Sequence, residues 1–148
     1  MKGMTTIVKN ISSLMRVPIF LFGLYLVAFG HSGPGGGFAG GVIFASLYVL
    51  LLLAFGREFA AKILPPSLAL KLSCFATLGF TGIATAGLWY DKEAFFWNFL
   101  HQKYPEFIES GTIALAEFFF ALIVASLTYL VIFSLLAYRP DKLEENES

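Results

Sequence analysis

Cysteine occurs once in the 148 residues, so no disulfide can close within the chain. Cys74 lies inside an apolar run, where a buried spectator role suits it, and the redox compartment stays open. Charge is also sparse. Lys, Arg, Asp and Glu make up 14%, against about 25% in soluble domains. Ten basic and ten acidic side chains cancel, which removes the electrostatic footprint of a nucleic-acid binder. The two histidines stand far apart, at His31 and His101, and with one cysteine they make no metal or iron–sulfur ligand set. No internal repeat and no domain boundary is visible. What the chain does have is apolar surface: 57% hydrophobic residues, 17 phenylalanines against three methionines, and a mean hydropathy of +0.76. A soluble enzyme is set aside, and a bilayer is the solvent this composition fits.

A spanning helix needs about 20 mostly apolar residues. Four stretches meet or approach that length, at about 11–30, 38–55, 68–90 and 111–138, with a charged tail over 139–148. The expected fold is an all-α membrane protein, one integral domain over 1–148 with four transmembrane helices. Ala28 and Gly30 have the −3/−1 spacing of a cleaved leader, but a long amino-terminal region and three later spans favour a retained first span. The mixed start "TTIVKNISSLMR" is expected to lie along the interface before turning in. With four spans both termini share a side. That side holds Lys2, Lys9, Arg16, Arg57, Lys62, Lys71, Arg139 and Lys142, and the other only Lys92 and Lys103. Basic residues accumulate inside, so both termini are expected in the cytoplasm of a cell-membrane protein. The connection Asp91–Ser110 then faces outward, and its Phe95, Phe96, Trp97, Phe99 and Tyr104 suit a short interfacial helix in an aromatic belt with Trp89 and Tyr90.

Between the first two spans stands "GHSGPGGGFAGG", residues 30–41, with seven glycines. Its Gly35-x-Gly37-x-x-Gly40 matches a dinucleotide fingerprint by letter only, since both flanks are expected membrane spans and the nearest downstream acid, Glu58, follows an unbroken apolar run. A phosphate loop is excluded because Gly41 and Val42 replace the required lysine and hydroxyl. Two physical roles remain. Gly33-Pro34-Gly35-Gly36 can turn tightly and pair the first two helices. Gly37, Gly41 and Ala45 recur every four residues, which gives the second helix a face with almost no side chains, open to close packing. The third helix offers a matching stripe of Cys74, Leu78, Gly82 and Ala86, with Gly79 beside it. Its hydroxyl row Ser73, Thr77, Thr81 and Thr85 is expected to bond across helices.

Two residues are candidates for an ion pathway. Glu117 is the sole ionisable side chain well within a predicted span, roughly 9 Å along its helix from Gly111. Burying it costs several kcal/mol, and such residues face a bundle interior, a cavity or a partner. Ser110, Ala114, Glu117, Ala121, Val124 and Thr128 share one small or mildly polar stripe, while Phe118, Phe119 and Phe120 turn elsewhere. Glu117 therefore faces protein, either as a cation-exchanging group or as a neutral hydrogen-bonding one. His31, at the predicted outer boundary, fits a cap over the first helix or a relay at the mouth of a path.

The stretch resembles the hallmark of one family, the B subunit of the multisubunit Na+/H+ antiporters, called MnhB or MrpB. That hallmark corresponds here to Gly30, His31, Pro34, Gly35, Gly36, Gly37, Phe38, Gly40 and Gly41. Four spans and an acid early in the last one, Glu117, are also similar to the family. Gly33 departs from it, standing where a hydroxyl residue is common. The resemblance implies a small, non-catalytic membrane subunit without a cofactor, supporting Na+ and H+ translocation and assembly beside other antiporter-type subunits in the bilayer. Related subunits also occur in membrane-bound hydrogenases and sulfur-reducing complexes, where a redox module would lie on partner chains. An assembly-only subunit is a further alternative, and an independent homo-oligomeric carrier is disfavoured by the single embedded acid.

Overall fold

The computed structural model describes residues 4–30, 33, 35–90, 95, 96 and 111–136. Among these residues five helices follow one another: α1 (Thr6–Phe29), α2 (Gly37–Phe55), α3 (Arg57–Ile63), α4 (Pro66–Tyr90) and α5 (Thr112–Leu135). All but α3 are long and apolar enough to cross a membrane. Even α2, with 19 residues, reaches about 28 Å at 1.5 Å per residue, close to the thickness of a hydrocarbon core. His31, Pro34, the expected interfacial helix of 91–110 apart from Phe95 and Phe96, and the tail 139–148 lie outside the described residues.

Helix α1 is one continuous 24-residue rod, without the break that the sequence suggests before its span. Ile7, Ile11 and Leu14 keep its first half apolar on the outer face, so lipid accommodates it as readily as the rest. Pro18 removes one N–H inside this helix without ending it. The helix α3 is also unexpected. It starts after Gly56, whose φ of 90° turns the chain at the end of α2 as a side chain would not allow. Two prolines then restart the chain. Pro66 takes the first turn of α4, where its missing N–H costs nothing.

Helices α1 and α2 pair antiparallel. Met4 N–H donates to Ala54 O at 3.0 Å at one end, and Gly36 N–H to Leu26 O at 3.3 Å at the other. Between them the Phe20 and Phe44 rings lie 5.5 Å apart, and a Cβ at Gly40 would run into Val27 and the carbonyl oxygen of Gly23. Helices α2 and α5 run parallel: Gly37 meets Glu117, Gly41 meets Ala121, and the Tyr48 ring lies tilted 5.7 Å from that of Tyr129. Helix α4 returns antiparallel to α5, with Phe75 and Phe119 6.1 Å apart and Phe80 and Phe120 5.8 Å apart. The lateral order is therefore α1, α2, α5, α4. Phe96 closes the far end of α4, donating its N–H to Ala84 O at 3.2 Å and packing on Phe80.

The best-buried cluster lies where α2 and α5 end and α3 crosses. It joins Leu52, Ala60, Ala69, Tyr129 and Phe133. Tyr129 is 0% exposed, and its hydroxyl donates to Leu64 O at 2.8 Å. The Arg57 guanidinium sits 4.6 Å above the Phe133 ring, a cation–π contact that seats α3 on α5.

Two expectations for the third span need correction. Its stripe does not pack on α2. Cys74 is exposed, Leu78 is 74% exposed, and a Cβ at Gly82 would meet nothing within 4 Å. Of the small residues noted there, Gly79 makes the close contact, against the Phe119 ring of α5. The phenylalanines of α5 need a recess, and α4 supplies it, leaving the Cys74 side turned outward. The hydroxyls also bond within their own helix: Thr77 Oγ1 donates to Ser73 O at 2.8 Å and Thr85 Oγ1 to Thr81 O at 2.9 Å. In an apolar medium the nearest free lone pair, one turn back, is the cheapest acceptor for such a donor.

Candidate functional site

Glu117 is the sixth residue of α5, on the stripe turned toward α2. What α2 offers there is bare backbone. A Cβ at Gly37 would collide with the carbonyl oxygen of Glu117, and one turn further a Cβ at Gly41 would come 2.7 Å from Ala121 O and 2.8 Å from Val124 Cβ. The two helices thus touch main chain to main chain, as small residues at four-residue spacing permit in lipid. Gly36 precedes them with φ 119°, a conformation that opens α2 without a side chain. A methyl group there would lie 3.5 Å from Glu117 Oε1.

The carboxyl therefore lies against the amino-terminal end of α2. The first amides of any helix lack an intrahelical acceptor and carry partial positive charge, which favours an anion nearby. Glu117 as a whole is half-buried, yet its Oε2 is buried and has no hydrogen-bond partner among the described residues. A buried oxygen without a partner costs free energy unless a proton, a water, an ion or another chain satisfies it. Among the described residues no three His, Cys, Asp or Glu side chains converge, so nothing there resembles a metal centre.

The other expected site residues divide by face. Gly36, Gly37 and Gly41 join Glu117, whereas Gly40 points to α1 and Phe38 points outward, 63% exposed. Gly30 and Gly35 lie where the chain leaves α1; a Cβ at Gly30 would run into the Gly36 backbone, and one at Gly35 would lie 3.2 Å from the Leu26 side chain. They line a small cavity of about 60 Å³ with Tyr25 and Phe29. Whether His31 and Pro34 reach the acid lies outside the described residues. Sequence reasoning missed Gly23, whose backbone α2 approaches at Gly40; its only signal was a lone glycine in an apolar span.

Residues 7–130 match the model of a domain related to the MnhB subunit of Na+/H+ antiporter. A relative from Staphylococcus saprophyticus, provisionally designated antiporter subunit mnhB2, is 34% identical over 80 residues, covering 54% of this chain and 57% of that protein. A like-named protein from Staphylococcus aureus (strain Newman) is 38% identical over 65 residues, 44% of this chain and 46% of its own. The chain thus spans about half the length of the curated relatives it matches. With 7–130 covering most of the sequence and four apolar helices in place, this multi-pass membrane chain belongs to the MnhB family of antiporter-subunit domains.

Proposed function

We propose that the chain is a small integral subunit of a multisubunit Na+/H+ antiporter-type complex and that Glu117 exchanges a cation, H+ or Na+, with a path completed by neighbouring subunits. One observation carries this reading: a carboxyl inside a spanning bundle with a buried oxygen left unpartnered among the described residues. One carboxyl does not make a whole pathway, which is why the partners are other antiporter-type membrane subunits. In this reading both termini are cytoplasmic, because Lys9, Arg16, Arg57, Lys62 and Lys71 all belong to the end of the bundle where α1 and α4 begin. His31 and the glycine stretch then face the outside.

The test is Glu117→Gln in the assembled complex, read as sodium-dependent proton movement in membrane vesicles. The expected result is at least about a tenfold loss with assembly intact, as for other intramembrane carboxyls in ion paths. Wild-type flux would overturn the ion-path role. A second reading, assembly only, is favoured by the backbone contact of Gly37 and Gly41 with α5. It requires Glu117→Gln to be silent while bulk at Gly41 separates subunits. A redox module on partner chains would be recognised by iron–sulfur or nickel proteins that co-purify with the chain.

A further inference from the structure

Arg16 is the deepest basic residue of α1. Its Cα is 14 residues from Gly30, about 21 Å along the helix, within the thickness of a bilayer core. It is exposed and has no ion pair among the described residues, whose two acids are Glu58 on α3 and Glu117 at the opposite end of the bundle. Beside it opens a cleft of about 370 Å³ between α1, α2 and α3, lined with Arg16 by Val17, Leu21, Leu47, Leu51 and Ile63. Phe20 and Tyr48 are shared with a second, apolar cavity of about 250 Å³ that continues along α1 to Val27. The cleft of about 370 Å³ is thus a slot that joins a cation to apolar side chains.

From this juxtaposition we infer that the slot holds one acyl chain of an anionic phospholipid, with its phosphate on Arg16. The charge fits: an arginine fork matches a phosphate, and its stem lets it reach toward the surface. Lys9 stands two turns earlier on the same face, and Lys62 precedes Ile63 at the mouth of the slot, both on the basic end. The inference is independent of the role of Glu117.

A photo-crosslinking residue at Val17 in the intact complex, with adducts identified by mass spectrometry, tests this. The control position is Leu78, 74% exposed on α4. Adducts at position 17 should be enriched in anionic phospholipid about fivefold over position 78, for one cationic group near a headgroup. Arg16→Gln should return them to bulk proportions. If that variant does not assemble, Leu47→Trp decides, because it fills the slot and keeps the charge. Lipid adduct yield at 17 then falls when the slot holds a chain. Bulk lipid proportions in the unsubstituted complex, an unchanged yield with Leu47→Trp, or adducts to an acidic helix of another subunit would each overturn the assignment.

Discussion

A buried tyrosine and a buried acid face opposite demands at the two ends of α5. Tyr129 has its partner, Leu64 O at 2.8 Å, and in holding it ties the chain between α3 and α4 to the last span. Tyr129→Phe keeps the ring packing on Tyr48 and Phe133 but leaves that carbonyl without its donor. The expected cost is about 1 kcal/mol, between the small average for hydrogen bonds in membranes and the penalty for a buried orphan. The denaturant midpoint of the purified complex reads it, and an unchanged midpoint would mean that the bond contributes nothing net. Glu117 differs because its buried oxygen has no such partner among the described residues. The chemistry of the two positions was unequally visible beforehand. An acid in an apolar run stands out in any reading, whereas the acceptor for Tyr129 is a main-chain carbonyl, which has no signature in sequence.

Among elements, what was legible was faces rather than partners. Apolar run lengths marked four spans, and the four-residue recurrence of Gly37, Gly41 and Ala45 marked a bare face on α2. Which helix would use that face was beyond the pattern, because α4 and α5 both carry small-residue stripes. The phenylalanines decided it. Phe119 and Phe120 fill the side of α5 toward α4, leaving its Glu117 and Ala121 side for α2 and the Cys74 side of α4 outward. The short α3 escaped detection because seven residues are too few to show a period. A paired substitution separates the two glycine environments. Gly41→Leu must push apart backbones already in contact, whereas Gly82→Leu enters open space. We expect the first to cost several kcal/mol and to deplete assembled chain, as overpacking does, and the second to leave the bundle unaltered. Equal tolerance of both would contradict the α2–α5 contact.

For the whole molecule, the helix directions gather the described basic residues at one end and the glycine stretch with Glu117 at the other. The resulting expectation is orientation. With Cys74 replaced by alanine, a cysteine at exposed Glu58 on α3 should react with a membrane-impermeant maleimide only when the cytoplasmic face is accessible. Labelling of intact cells would invert the topology.

The parallel contact between α2 and α5 also fixes an order of events during synthesis. The α1–α2 hairpin joins neighbours and can close as soon as both have entered the membrane. The seat for the carboxyl cannot, because Gly36 and Gly37 must wait for α5, which is made after α3 and α4. Until α5 arrives, the bare glycine face of α2 lies open to lipid, and a ribosome-released fragment ending after α4 would carry no acid to fill it. The seat of the buried oxygen thus forms only when α5 joins α2.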